Sequence, residues 1–382
     1  MQTGDLLYSD TEDALRAGVR QLFAERCPPE SVARAYDAEP QDFSGVWRTL
    51  ATELGVAGLL VPESLGGAGA GAREAAVVME EIGRAVAPVP FLSSAVLATV
   101  ALVRAGDTQT VSALAQGELT AALVVPLTTA PGDPVTGVSV DADGLCGSVI
   151  GVAGVGAADV LVVPAAGPDG LELHTVDVAA AGVQVSPLLA LDMTRPLAGV
   201  SFSGTPSSRI GAGGRPGADA RSPAAARGGG ARPAPDAIRT AAALLASEQL
   251  GVAQWCFDTT LDYAGQRRQF GRTIGSYQAI KHRLADLWFE VGAATAAARY
   301  AADTCARAGD DTAAAAAIAQ AYCGDIAVHA AEECIQLHGG IGMTWEYPAH
   351  LYLKRAKSDQ LAFGTGYRHR ARLAELMDLP PS

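Results

Sequence analysis

From Ser9 to about Phe23 the apolar positions Leu15, Val19, Leu22 and Phe23 fall on one helical face, and Ser9-Asp10-Thr11-Glu12 has the form of a capping box. Trp47, Leu50 and Leu54 continue the pattern in a second helix, which Gly55 stops. A Pro/Gly cluster from Leu59 to Gly69 separates it from a third helix over Ala75 to Ala87, and residues 90 to 116 hold at least one more. Between Leu119 and about Phe202 the helical period disappears. Short Val-rich runs replace it, at Ala122 to Pro126, Gly137 to Val140, Ala158 to Pro164 and Leu171 to Val176, with Gly, Asp and Pro between them. That pattern predicts a small β-domain. From Asp236 onward the chain reads as helix again: to about Gly265, from Ser276 to Arg307, from Asp311 to His338, after Thr344, and after Gly366.

The chain therefore divides into a helical segment 1–118, a β segment 119–205, and a helical bundle 236–382. Residues 206–235 are different in kind, rich in Gly, Pro, Ala and Arg, and read as a flexible insertion. With 382 residues, 49% hydrophobic and 18% charged, there is ample material for two or three packed modules. Aromatics are only 5% and alanine is abundant, which suits close helix–helix contact through small side chains.

A formal net charge of −13 argues against a nucleic-acid partner. The six cysteines form no paired spacing and no Cys/His cluster, so they read as reduced core thiols of a cytoplasmic protein without a metal site; Cys334 is the one closest to candidate chemistry. The N-terminus carries too many acids for a signal peptide, and the most apolar stretch, Phe91 to Val103, is too short to span a bilayer.

Candidate chemistry gathers in two places. Arg267-Arg268-Gln269-Phe270-Gly271 sets guanidiniums, an amide and a ring within five residues, groups suited to a pyrophosphate and an adenine. Ile335-Gln336-Leu337-His338-Gly339-Gly340 ends a helix on a Gly pair, where backbone can approach a ligand closely, and Glu346-Tyr347-Pro348 follows.

These two motifs resemble the Arg-x-x-Phe-Gly clamp and the paired glycine turn of the acyl-CoA dehydrogenase family. The Val61-Pro-Glu-x-x-Gly-Gly-x-Gly segment and the helix, β, helical-bundle order extend the likeness over nearly the whole chain. The resemblance implies an all-α N-terminal domain, a small β-barrel or sandwich, and a C-terminal four-helix bundle. It implies FAD as cofactor and α,β-dehydrogenation of an acyl-CoA thioester, with an electron-transferring acceptor. It places Arg267, Gln269, Phe270, Gln278, Gln336, Gly339 and Gly340 against the FAD of a neighbouring subunit, and adds Thr365 to the cofactor residues.

Two departures stand out. Where active members resemble Thr-Glu-Pro-Gly-x-Gly-Ser-Asp, this chain has Pro126 to Asp133 without the Glu or the Gly-Ser-Asp, and no Trp lies between 48 and 254. Where the family keeps its catalytic Glu this chain has Phe363, and the alternative base position falls at Ala241. Glu248 is the one nearby carboxylate that would substitute, although among Leu244, Leu245, Leu250 and Val252 it reads more readily as paired with a nearby Arg or lying on a polar seam. The pattern predicts a base-lacking subunit paired with a homologous FAD-bearing subunit, as a dimer of dimers. The alternatives are a self-sufficient dehydrogenase using Glu248, or a non-catalytic acyl-CoA- or partner-binding protein on the same fold. Small residues from 241 to 251 suggest room for a bulky substrate.

Overall fold

The structure, a computed structural model, describes residues 6–135, 137–168, 170–210 and 232–379. Most of the predicted insertion lies outside the described residues. Its two ends are regular structure: strand continues to Arg209, and the next helix begins at Pro233, whose ring suits a first helical position.

The N-terminal part holds α1 (Asp10–Arg26), α2 (Pro29–Ala33), α3 (Ser44–Arg48), α4 (Ala72–Ala85), α5 (Thr99–Ala105) and α6 (Thr108–Ala115). The capping box forms as predicted: Glu12 N–H donates to Ser9 Oγ at 3.3 Å and Ser9 N–H to the Glu12 carboxylate at 2.7 Å. Helix α4 starts earlier than its apolar pattern suggests, because Glu74 accepts from Gly71 N–H at 2.8 Å and caps the extra turn. A π-helical run, Phe91–Ala98, leads into α5 with every residue buried.

The middle part is one sheet of β1 (Ala121–Leu123), β2 (Val138–Asp141), β3 (Gly144–Ala153), β4 (Val160–Gly167), β5 (Gly170–Asp177), β6 (Val183–Leu188), β7 (Leu197–Thr205) and β8 (Ser208–Arg209). The order is β6-β7-β3-β2-β4-β5-β8, with β1 parallel to β4. The Val-rich runs locate β1, β2, β4 and β5. Strands β6 and β7 and most of β3 have weaker apolar runs, since β6 buries no residue and β3 alternates irregularly.

The C-terminal part consists of α7 (Pro233–Gln266), a hairpin of β9 (Arg268–Gln269) and β10 (Arg272–Thr273), then α8 (Gln278–Ala306), α9 (Thr312–His338), α10 (Ala349–Leu361) and α11 (Gly366–Leu376). Three long helices carry the bundle and two short ones close it. Helix α7 is its axis, with Ala241 to Ala253 buried throughout. The small residues expected to leave room for substrate are instead used for contact. A Cβ on Gly83 would lie 2.0 Å from the Glu248 carbonyl, and one on Gly251 would lie 1.9 Å from that of Glu80. Helices α4 and α7 thus touch backbone to backbone. Among the described residues no helix is long and apolar enough to cross a membrane.

Candidate functional site

At one end of the bundle, the C-terminus of α7, the hairpin, the start of α8 and the end of α9 share a small core of Ala264, Ile274, Ile280, Leu284 and Leu337. This packing brings together the two motifs, which lie some seventy residues apart in sequence. The β9–β10 turn places Phe270 at φ 52° and Gly271 at φ 81°, and Gln269 pairs with Arg272 across it. Two consecutive positive φ values give the tight hairpin turn that suits strand twist. Glycine adopts that conformation freely, but an aromatic residue does so at a cost. Phe270 is nonetheless 91% exposed, so the strain serves to present the ring outward rather than to pack it. Arg267, Gln269 and Gln278 are exposed beside it. Gln278 shares a 2.7 Å hydrogen bond with His282, and the Arg272 guanidinium covers the Tyr277 ring at 3.8 Å.

The second motif closes over the end of α9. Gln336, Gly339 and Gly340 are exposed, and a Cβ at either glycine would meet no atom of this chain. Gly339 adopts φ 65°, ψ −139°, a conformation open essentially to glycine alone. Gly342 is needed for a different reason, since a Cβ there would sit 2.5 Å from the Ile335 carbonyl. Bare backbone, an outward ring and nearby guanidiniums form an open cradle suited to the adenosine and pyrophosphate part of FAD. Beneath it, Cys334 and Cys256 are fully buried. The hydrogen bond from Cys256 and the neighbouring His338 pull the Cys334 thiol below the usual thiol range.

Thr365 does not join this cradle. It precedes α11, whose first residue, Gly366, abuts Ala321 and Asp325 in the middle of α9. Gln336 lies about 16 Å further along that helix. Thr365 belongs instead to the turn that carries Phe363. That turn is sealed: Phe363 is fully buried at φ 54°, and its N–H donates to the Leu127 carbonyl at 2.8 Å. His369 Nε2 donates to the Phe363 carbonyl at 3.0 Å. Arg368 makes a bidentate pair with Asp133, and Gly364 fits against Ala130 with no room for a Cβ. The two segments that the resemblance places on either side of a flavin ring are therefore bonded to each other.

The substitute base fares no better. Glu248 is fully buried, and both its oxygens accept from Arg195 Nη2 at 2.6 Å. It also accepts from Arg355 Nη1. Arg355, itself buried, donates to Asp192 at 2.7 Å and to the Thr194 hydroxyl at 2.6 Å, and Arg195 donates to Asp359 at 2.5 Å. Burial alone would raise the Asp192 carboxyl, but Arg355, Thr194 and Arg195 outweigh it and hold it low. Burial and the Glu248 charge push Asp359 up to about 8 despite both arginines. A carboxylate held by two guanidiniums is a structural anion, with no open side from which to take a proton from a substrate. Ala241, the alternative position, is buried as well. Arg195 and Arg355 are not recognisable in the sequence as the partners of Glu248, because the members of the network lie far apart in the chain. The local signals were Glu248 within the apolar run of α7 and Asp192 after the apolar run Leu188 to Leu191.

Residues 9–114 match the family description "Acyl-CoA dehydrogenase, N-terminal domain" and residues 228–377 match "Acyl-CoA dehydrogenase, C-terminal domain". Over 358 residues the chain is 33% identical to acyl-CoA dehydrogenase IpdE2 of Mycolicibacterium smegmatis, covering 93% of this chain and 95% of that one. The chain belongs to the acyl-CoA dehydrogenase family. Among solved acyl-CoA dehydrogenase folds, a chain of the ChsE4–ChsE5 complex from Mycobacterium tuberculosis superposes with a TM-score of 0.83 at 26% identity, covering 99% of this chain and all of that one. A chain of the Tcur3481–Tcur3483 steroid ACAD superposes with a TM-score of 0.80 at 28% identity, covering 97% and 98%. Acyl-CoA dehydrogenases are FAD-dependent oxidoreductases.

Proposed function

We propose that this chain is the base-lacking subunit of a heteromeric acyl-CoA dehydrogenase, acting in the cytoplasm on an acyl-CoA of lipid or steroid catabolism. The observation that carries the proposal is the contrast between an open, strained, outward-facing clamp and a sealed Phe363 turn. A chain that has lost its own flavin chamber has no use for an exposed clamp unless the flavin belongs to another subunit.

In this reading Arg267 supplies charge to the pyrophosphate, and Phe270 and Gln269 meet the adenine end. Gln278 and Gln336 add amide groups, while Gly339 and Gly340 let backbone approach. FAD, when bound in a homologous subunit, supplies hydride acceptance from the acyl β-carbon, and that subunit supplies the base. This chain's residues bind and orient only. The paired composition of the ChsE4–ChsE5 and Tcur3481–Tcur3483 proteins supports a two-chain assembly, which the proposal extends to a dimer of dimers that hands electrons to a separate acceptor.

A second reading, acyl-CoA binding by this chain itself, draws support from one feature. A cleft of about 680 Å³ lies between the Ala130–Asp133 turn, the start of α7 and α11, with Arg232, Arg239, Arg368 and Arg372 on its walls. Three of these arginines are paired inside the chain, with Asp236, Asp133 and Glu375.

Flavin stoichiometry decides between the readings. The isolated chain should be colourless. The same chain purified from its native host should be yellow and bound to a second acyl-CoA dehydrogenase chain, with one flavin for each pair. A flavin spectrum from the isolated chain would overturn the proposal, and tight CoA-ester binding by the colourless isolated chain would favour the second reading.

A further inference from the structure

We infer that His338 is a positioning residue that holds the two halves of the flavin clamp in register, acting through Tyr347 on one side and Tyr263 on the other. The inference rests on the half-site reading above and deepens it.

Helix α9 ends at His338, with the glycine turn directly after it. The side chain is 3% exposed, so the ring does not itself meet a ligand. Both its nitrogens are nevertheless committed. Nδ1 lies 2.6 Å from the Cys334 carbonyl, which only accepts, so Nδ1 carries the proton and donates. Nε2, left as the acceptor, lies 2.6 Å from the Tyr347 hydroxyl, which donates to it. The Tyr347 bond closes the loop that holds Gly339 and Gly340. Two bonds from Thr344 to the Ile341 carbonyl, at 3.1 Å from its N–H and 2.9 Å from its hydroxyl, tighten that loop from within. A loop tied at both ends has little freedom left to lose when it meets a ligand.

The other half is tied to the same residue. Tyr263 stacks on the His338 ring with centroids 4.2 Å apart, and its hydroxyl donates to the His338 carbonyl at 3.4 Å. The Tyr263 carbonyl in turn accepts from Arg267 N–H at 2.8 Å, which ends α7 and launches the hairpin. A continuous path therefore runs from Tyr347 through His338 and Tyr263 to Arg267. A buried histidine that merely capped a helix would need one of these contacts. Here the contacts reach both clamp segments. This gives Tyr347, the centre of the Glu-Tyr-Pro motif, a defined task.

The test uses the flavin-bearing complex isolated from the native host through a tag on this chain, stripped of flavin and titrated with FAD. Tyr347→Phe cuts the His–Tyr bond and should weaken FAD binding about tenfold; His338→Asn loses the Tyr263 stack as well and should weaken it further. The double variant should be no weaker than His338→Asn alone, since that change already removes the bond that Tyr347→Phe removes. His338→Gln, whose amide reaches the Nε2 position, should recover the Tyr347 bond but not the Tyr263 stack, and so should fall between His338→Asn and wild type. Tyr347→Phe should leave the mass of the complex unchanged and lower the urea midpoint of the isolated chain only slightly, as the loss of one hydrogen bond requires. Wild-type FAD affinity in Tyr347→Phe, additive losses in the double variant, or losses that follow the urea midpoint would each overturn the inference. Arg267→Ala separates the two levels. If it loses FAD while Tyr347→Phe does not, only the role of His338 falls; if neither loses FAD, the clamp reading falls with it.

Discussion

The backbone N–H of Phe363 donates to the carbonyl of Leu127 across 2.8 Å, joining the turn where the resemblance places the family's base to the segment where it places flavin-facing donors. Restoring the carboxylate alone should therefore restore nothing. Phe363→Glu replaces a fully buried ring with a charge that has no partner. The isolated chain should lose about 3 kcal/mol of stability in urea unfolding and gain no acyl-CoA-dependent dye reduction. Activity in that variant would show that the chamber opens and that the chain is a latent enzyme.

The Arg355 network joins the β-domain loop at Asp192 to α7 and α10. Arg355→Met leaves Asp192 and Glu248 short of a partner in the interior and should cost about 3–5 kcal/mol by urea titration. Glu248→Gln removes one of three carboxylates that face two guanidiniums. It should be far milder, and it should leave the dye-reduction rate of the complex unchanged. A large loss of turnover in Glu248→Gln with normal stability would reinstate Glu248 as the base.

Asp359 makes stability depend on pH in a defined direction. Its folded pKa, pushed up to about 8, exceeds the unfolded value, so the folded chain holds an extra proton between roughly pH 4 and pH 8. Stability should then fall as pH rises through that window, by at most ~1.4 kcal/mol per pH unit, and level off above it. Asp359→Asn, neutral at every pH, should flatten the slope. Urea midpoints from pH 5 to pH 9 for both proteins test this, and identical slopes would exclude Asp359 as the source.

The α4–α7 contact leaves no space for a side chain at Gly83, where a Cβ would stand 2.0 Å from the Glu248 carbonyl. Gly83→Ala must push the helices apart and should lower stability by about 1–3 kcal/mol, despite alanine's better helix propensity. A variant as stable as wild type would mean that the two helices separate freely.

Phe270 should show a trade between stability and binding. Replacing it by glycine relieves the left-handed backbone and removes an exposed ring. Phe270→Gly should therefore stabilise the isolated chain by about 1 kcal/mol while weakening FAD retention in the complex. A loss of stability would show that the ring packs within this chain after all.

Much of this was legible in the sequence, and for local reasons. The capping box at Ser9, the Val-rich strands and the Gly–Gly helix end follow from contacts within a few residues, so composition and spacing reveal them. The two motifs at Arg267 and Gln336 stood out because each is compact, and Phe363 stands in a short, recognisable stretch. Tertiary structure decided the rest. That Glu248 would pair with an arginine was readable, but only folding picked out Arg195 and Arg355, 53 residues before it and 107 after it. The small residues of α7 looked like room until α4 filled it. His338 looked like one residue of a turn until packing set Tyr263 and Tyr347 against its ring. In each case the deciding partner is distant in sequence, and only the packing of one helix on another, or on a β-domain loop, brings it within hydrogen-bonding or van der Waals range.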